Sequence, residues 1–352
     1  MSQFNTLTIQ DITRQTDKCV AITFNVPDHL KDYYQFKAGQ YITLKTTLNG
    51  AEVRRDYSLC TSPSSGKLTV AVKEVESGTF SKYANQTLKV GDTLDVAKPQ
   101  GRFTFTPDAS KTRTIAAFAA GSGITPVLSI LKTVLEEEPN SKFVLVYGNK
   151  TLNDTIFLNE LLDIQNQYSD RLTIQFVYSQ SQETDALFGR IEKSTVNFIV
   201  KNKYKEEVID AFYLCGPEGM INTVKDVLAE NNIEDDNIFF ELFSSKTEVP
   251  VEEVEAISNG NSKITIIVDD EEKTFTMPQT QSVLEAALDH DLDAPYSCQG
   301  GICSSCIARV KDGKATMRQN NILTDNEVAE GLILTCQAHP TSASIIVDYD
   351  DV

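Results

Sequence analysis

Four cysteines in the last quarter of the chain restrict its possible folds more than any other feature. Cys298, Cys303 and Cys306 are spaced C-x4-C-x2-C, and Cys336 follows 30 residues later. Four thiolates at this spacing hold a [2Fe–2S] cluster. The loop between them suits that task. Gly300 and Gly301 let the backbone approach a bulky inorganic core with no Cβ in the way. The N–H groups of such a loop offset the negative charge of the cluster. Cys336 ends the apolar run Leu332-Ile333-Leu334 and completes the set from a separate segment. A disulfide framework is disfavoured in a long chain with no secretory start. Structural zinc usually brings C-x2-C pairs, and only Cys303 and Cys306 are so spaced. His29, His290 and His339 show no ligand spacing, so a Rieske arrangement is excluded.

The rest of the chain must then be a carrier for that cluster or a source of electrons for it. Its 352 residues leave room for two or three domains. The formal net charge of −18 argues against nucleic acid and anionic membrane as partners. The charge is uneven: residues 263–352 hold 6 Lys/Arg against 15 Asp/Glu, net −9, half the total on a quarter of the chain. Such a module is either a docking face for a basic partner or merely well solvated. The start, MSQFNTLTIQ, lacks a basic region followed by an apolar core, so no signal peptide is expected. The most apolar stretch, Thr114 to Leu131, is broken by Gly121, Ser122, Gly123 and Pro126, which fits strand, turn and helix better than a membrane span. A soluble, cytoplasmic protein is expected.

Residues 1–108 alternate apolar and polar positions in short runs, near 6–12, 20–26, 41–47, 68–75 and 92–97, with glycines between them. Many short strands with little helix imply an antiparallel β-barrel. From 111 to 243 the rhythm becomes strand then helix. Strands are expected near 113–119, 143–147, 172–178, 211–215 and 237–242, and helices over 126–137, 155–168 and 217–230. That alternation implies an α/β domain with a parallel sheet. Gly121-Ser122-Gly123-Ile124-Thr125-Pro126 follows the first strand; Thr125 is placed to cap the next helix and Pro126 suits its first turn. Such a helix N-terminus faces a dinucleotide phosphate. Residues 244–262 have the acidic, weakly periodic composition of a linker. Residues 263–352 show two strands, a helix opened by the capping box Ser282-Val283-Leu284-Glu285, the cysteine loop and later strands, an α+β pattern.

Several of these segments resemble the ferredoxin–NAD(P)H reductase superfamily, followed by a plant-type [2Fe–2S] ferredoxin domain of β-grasp fold. Arg55-x-Tyr57-Ser58 is similar to its flavin motif, and the residue chemistry agrees. An Arg fork suits a pyrophosphate, a Tyr face suits an isoalloxazine, and a Ser hydroxyl suits flavin N5. Gly78-Thr79-Phe80-Ser81 resembles the turn that holds the flavin pyrophosphate, and Val72 and Lys73 match positions lining the ribityl chain and adenine side. Together these imply FAD. Gly121, Gly123, Thr125 and Pro126 match the family's G-x-G-x-T-P form. Cys215-Gly216-Pro217-Glu218-Gly219-Met220 resembles its C-G-P-x-x-M motif, which implies that Cys215 orients nicotinamide C4 toward the flavin. Gly148 and Asn149 match a strand end that contacts the nucleotide, and Glu241-x-Phe243 resembles the closing segment near the flavin. Where many NADPH-using relatives carry Ser-Arg, this chain has Ser179-Gln180, with Lys150 or Arg190 as substitutes. The donor, NADH or NADPH, therefore stays open.

The order flavin, nicotinamide, ferredoxin is that of oxygenase reductase components. The likeness is greatest to reductases that feed phenylacetyl-CoA epoxidases, and it extends to those of ring and steroid hydroxylases. The resemblance implies an oxygenase or epoxidase as electron acceptor, with Cys298, Cys303, Cys306 and Cys336 as the metal ligands and Ser58 and Cys215 at the hydride step. A cluster-based redox sensor is the alternative from another class.

Overall fold

The computed structural model describes residues 4–204, 208–243 and 260–352. They form two compact units, one ending at Phe243 and one lying beyond it.

The first unit begins with six antiparallel strands: β1 (Phe4–Thr16), β2 (Cys19–Asn25), β3 (Tyr41–Leu48), β4 (Ala51–Ser58), β5 (Leu68–Lys73) and β6 (Thr93–Ala97), in the order β4-β3-β6-β1-β2-β5. A bridge between Leu59 and Val70 joins the two outer strands and curls the sheet into a barrel. Alternation fills its core: Leu7, Ile9, Ile22, Leu44, Val70, Val72 and Val96 point inward and are almost fully buried. Sequence pattern missed two features. β4 carries Arg54, Arg55 and Asp56, too polar for its strand character to show. A helix, α1 (Thr79–Gln86), occupies the segment expected to be a turn, and the strand before it ends at Lys73 rather than Val75.

The parallel sheet follows. Its strands are β7 (Thr114–Ala120), β8 (Lys142–Asn149), β9 (Leu172–Tyr178), the short β10 (Leu187–Phe188), β11 (Ala211–Gly216) and β12 (Ile238–Leu242), in the order β10-β9-β8-β7-β11-β12. Helices α2 (Ile124–Glu137), α3 (Leu158–Gln167), α4 (Lys193–Asn197) and α5 (Glu218–Glu230) connect them. Strand order reverses at β7, whose neighbours are β8 and β11, so the crevice at their carboxyl ends is the expected ligand position. The apolar stretch 114–131 is indeed strand, glycine turn and helix. Thr125 does not cap that helix. The N-cap is Gly123, and the Thr125 hydroxyl, already inside the first turn, donates to the Ser122 carbonyl at 3.0 Å.

Barrel and parallel sheet are not independent bodies. Cys19, Cys60, Ala71 and Phe103 of the barrel segment belong to one buried cluster with Val127, Ile130, Leu131, Tyr147 and Cys215 of the nucleotide segment. Ser129 of α2 donates to the Thr61 carbonyl at 2.6 Å, and Lys132 donates to the Cys60 carbonyl at 3.2 Å. The connecting segment is tied down by an ion pair between Arg113 and the fully buried Glu138, whose carboxylate also takes a hydrogen bond from Ser141 at 2.7 Å.

The second unit has a mixed five-stranded sheet of order β14-β13-β19-β15-β17. Its members are β13 (Asn261–Val268), β14 (Glu271–Pro278), β15 (Ile307–Asp312), β17 (Leu332–Leu334) and β19 (Ser344–Asp348); β16 (Ala315–Met317) pairs separately with β18 (Ala338–Pro340). Helix α6 (Val283–Asp289) covers the sheet with Val283, Leu284, Ala286 and Ala287, and its capping box forms as expected: Glu285 N–H donates to Ser282 Oγ at 3.2 Å and Ser282 N–H to Glu285 at 3.0 Å. A further capping box opens α7 (Asp325–Ala329) at Thr324. The strand starts at Asn261, so the expected linker is shorter by its last two residues; residues 244–259 lie outside the described residues. Among the described residues no helix is long and apolar enough to cross a membrane.

Candidate functional site

Three strands bring the hydride-side residues together. Ser58 is the last residue of β4 and is buried; its hydroxyl donates to Glu241 Oε2 at 3.2 Å. Glu241 sits on β12, directly in register with Cys215 on β11. Cys215 is fully buried. Burial pushes the Glu241 carboxyl up to about 8, against the opposing pull of the Ser58 hydrogen bond, and Asp56 adds to the rise. Burial, then the nearby Glu241, pushes the Cys215 thiol well above its ordinary value. Cys215 is therefore a neutral thiol at physiological pH, suited to packing against a planar ring rather than to nucleophilic attack. Sequence motif pointed to Ser58 and Cys215; the Ser58–Glu241 contact spans 183 positions and has no local signal.

On the barrel, Arg55 and Tyr57 are two apart on β4 and so share a face, while Ser58 lies on the other. Arg55 is exposed and donates to the Arg54 carbonyl at 2.6 Å. The Tyr57 ring lies 5.5 Å from that of Phe80. Phe80 and Val72 turn into the barrel core, so these two side chains support the surface rather than form it. The Ser81 hydroxyl accepts from Val75 N–H at 3.2 Å, which fastens the start of α1 to the end of the strand. Asn85 fastens it again, donating to the Val72 carbonyl at 3.0 Å; nothing in the motif singled it out.

At the carboxyl ends of the parallel strands, Gly121 and Gly123 form a tight turn that opens α2. A Cβ on Gly123 would lie 2.1 Å from the Cys215 carbonyl oxygen, so only glycine lets this turn pack on β11. Tyr147, fully buried, donates to the Gly121 carbonyl at 3.0 Å and holds the turn from beneath. Lys73 reaches across from the barrel, its Nζ 3.4 Å from where a Cβ on Gly121 would be. Gly148 and Asn149 end β8, and both polar atoms of the Asn149 amide are buried without a protein hydrogen-bond partner. Gly216 ends β11, Pro217 is the N-cap of α5, and Met220 packs under Gly216. Gln180 N–H donates to the Lys150 carbonyl at 2.8 Å, and the side chains of Lys150, Gln180 and Arg190 are exposed. Phe243 is 38% exposed at the end of β12. Thr125 and Pro126 are buried in the first turn of α2.

In the second unit the four cysteines form two pairs. Among the described residues no disulfide forms; the thiols of Cys298 and Cys303 are hydrogen-bonded to each other, as are those of Cys306 and Cys336. Backbone N–H groups of Gly300, Ile302 and Cys303 face the Cys298 sulfur, the first at 3.3 Å. With the Cys303 contact leading, they hold the Cys298 thiol at about 6. Cys336 is lowered as well, first by Cys306 and in part by Gly301 N–H. Gly301 has φ +69°, and a Cβ there would meet the Gln319 carbonyl at 3.0 Å, so the loop needs glycine at this point. Among the described residues no three His, Cys, Asp or Glu side chains converge on a single ion. Two sulfur pairs ringed by N–H donors instead match what a two-iron cluster requires, two thiolates for each iron.

Comparison with known proteins agrees module by module. Family models match for an oxidoreductase FAD-binding domain at residues 6–105, an oxidoreductase NAD-binding domain at 118–226 and a 2Fe-2S iron-sulfur cluster binding domain at 266–341. A subunit of the 1,2-phenylacetyl-CoA epoxidase of Escherichia coli K12 is 37% identical over 99% of both chains. This chain belongs to the oxygenase reductase family. Another member, the ferredoxin reductase component of 3-ketosteroid-9-alpha-monooxygenase from Mycobacterium tuberculosis, is 31% identical over 98% of this chain and 96% of its own. Phthalate dioxygenase reductase shares the three-module fold, with TM-score 0.60 and 24% identity over 98% of each chain. The reductase described here thus has FAD-binding, NAD-binding and [2Fe–2S] domains, and its activity is oxidoreduction with electron transfer to an oxygenase.

Proposed function

We propose that this reductase is the electron-supplying subunit of a phenylacetyl-CoA ring epoxidase, drawing electrons from a nicotinamide dinucleotide. The observation that carries the reading is 37% identity along the whole length to a component of such an epoxidase. When bound, FAD accepts electrons as a hydride pair and the cluster carries them singly, which is the chemistry an oxygenase consumes.

The side chains themselves bind and orient. Arg55 would hold the flavin pyrophosphate as a cationic fork, and Tyr57, backed by Phe80, would offer a flat face to the isoalloxazine. Gly78 and Ser81 would open α1 toward the same phosphates, with Lys73 beside them and Val72 supporting the strand from within the barrel core. Ser58, its hydroxyl oriented by Glu241, would lie beside the hydride-accepting edge of a bound flavin. Cys215, Gly216, Pro217 and Met220 would shape the slot for the nicotinamide, the neutral thiol offering a packing surface rather than a nucleophile. Gly121, Gly123, Thr125 and Pro126 bring the N-terminus of α2 to the dinucleotide phosphates. Gly148 and Asn149 would supply polar contacts to the nucleotide, and Phe243 would contribute to holding the flavin. No acid or base is needed, because a hydride moves with its electron pair. Cys298, Cys303, Cys306 and Cys336 hold the two irons.

Reconstitution tests the reading. The purified reductase, NADH and the oxygenase subunits of a phenylacetyl-CoA epoxidase should together consume phenylacetyl-CoA and oxygen. Turnover with a steroid or ring-hydroxylating oxygenase, and none with the epoxidase, would overturn it. Gln180 carries no charge for a 2′-phosphate, so kcat/KM should favour NADH over NADPH; a strong NADPH preference would reassign that pocket.

A further inference from the structure

Helix α2 turns a polar stripe toward the barrel. Ser129, Lys132 and Glu136 stand at helical spacing, and all three meet the loop that follows β4. The fully buried Ser129 donates to the Thr61 carbonyl at 2.6 Å, Lys132 donates to the Cys60 carbonyl at 3.2 Å, and Glu136 accepts from the Ser64 hydroxyl at 2.8 Å. The backbone groups of this loop divide between barrel and helix. Leu59 N–H donates to the Gln40 carbonyl at 2.9 Å and Cys60 N–H to the Thr69 carbonyl at 3.0 Å, both within the barrel segment. The carbonyls of Cys60 and Thr61 go to α2 instead. The chain directly after Ser58 is therefore gripped from two sides.

The start of the same helix stands on the other side of the hydride step. Gly123, its N-cap, packs against the Cys215 carbonyl. Six residues, about 9 Å of helix, separate that contact from Ser129. One stiff element thus touches the backbone at Cys215 and the backbone just beyond Ser58. The Lys132 side chain is only 13% exposed, and its ammonium also pairs with Glu160 of α3 at 2.6 Å. Neutralising Glu160 explains the charge of Lys132 but not its bond to the barrel loop.

We propose that Ser129 and Lys132 are positioning residues for hydride transfer. By clamping the Cys60 and Thr61 carbonyls to α2, they set how closely the flavin edge beside Ser58 approaches the nicotinamide beside Cys215. The inference deepens the function proposed above and rests on Ser58 and Cys215 flanking the two rings. The transfer itself moves one hydride, a proton with two electrons, from donor to flavin. Its rate depends on close approach, and a misplacement of about 1 Å costs about 10²-fold.

The test uses the full-length holoprotein. Lys132→Met keeps the reach of the side chain and removes its donor. Flavin reduction by saturating NADH in stopped flow should slow roughly tenfold, while NADH affinity, FAD content and the denaturation midpoint stay near native. The long-wavelength charge-transfer absorption of stacked nicotinamide and flavin should weaken with it, a signature that needs no turnover. Lys132→Arg, which keeps a donor there, should restore most of both. Glu160→Gln removes the ion pair, leaves the bond to Cys60, and should change neither. A native rate and native absorption in Lys132→Met overturn the proposal. So does a Glu160→Gln variant that falls equally far, or a rate that drops only in step with stability. Should Lys132→Met fail to hold FAD, Ser129→Ala is judged by the same criteria. A native flavin that ignores nicotinamide donors, or a Ser58→Ala variant reduced at the native rate, sinks the placing of the rings itself. That is a different failure from a rate that ignores Lys132.

Discussion

Strand pairing sets Cys215 beside Glu241, a side-chain hydrogen bond from the barrel adds Ser58, and burial governs the chemistry of the group. A buried thiol stays neutral, so Cys215 contributes shape and polarisability, and its loss should loosen the nicotinamide rather than expel the dinucleotide. Cys215→Ala should slow flavin reduction in stopped flow by roughly 10–100-fold, the scale of a small misplacement of reacting atoms, with a smaller change in nucleotide affinity. An unchanged rate would remove its orienting role. Glu241 supplies a pH signature. Its folded carboxyl titrates near 8 against an ordinary 4.5. The folded chain therefore keeps this proton after the unfolded chain has released it. Stability from this group falls as pH rises from about 4.5 to about 8 and is level above that. Thermal unfolding of Glu241→Gln should accordingly vary less across that window than the native reductase does. Parallel curves would mean that Glu241 is already ionised in the fold.

At the scale of elements, the turn between β7 and α2 is set by a close approach as much as by motif. Gly123 has an ordinary helical backbone, so alanine would adopt it freely; the obstacle is the Cys215 carbonyl. Gly123→Ala should push α2 away from β11 and cost about 1–3 kcal/mol, the usual penalty for overpacking, read by chemical denaturation. Nucleotide binding should weaken in parallel. Equal stability and affinity would show that the turn yields easily. The same turn is held from below by Tyr147, whose hydroxyl bonds the Gly121 carbonyl.

For the whole molecule, the two compact units imply separable chemistry. The four cysteines lie in the second unit, and Ser58, Cys215 and Glu241 lie in the first. Cys303→Ser should abolish the visible and paramagnetic signals of the cluster while leaving NADH oxidation by ferricyanide near native level. Loss of both activities would show that the units stabilise one another.

Periodicity and motif carried the architecture far. Alternation at Leu68 to Val72 and the strand–helix rhythm after Thr114 define barrel and parallel sheet because both depend on local spacing. Cysteine spacing names the cluster because three ligands lie within nine residues of sequence. The Ser282 capping box was equally legible, being four residues long. Other features depend on what folding brings together. β4 was hidden because its charged residues break the apolar pattern, and α1 because a motif suggested a turn. The shared core of barrel and nucleotide segment and the Ser58–Glu241 contact each join positions that are distant in sequence. Sequence alone determined the class of each module, since that follows from short-range pattern. Only the tertiary structure decided which of their groups are dry, paired or left without a partner, because burial is a property of the assembled fold and not of any single segment.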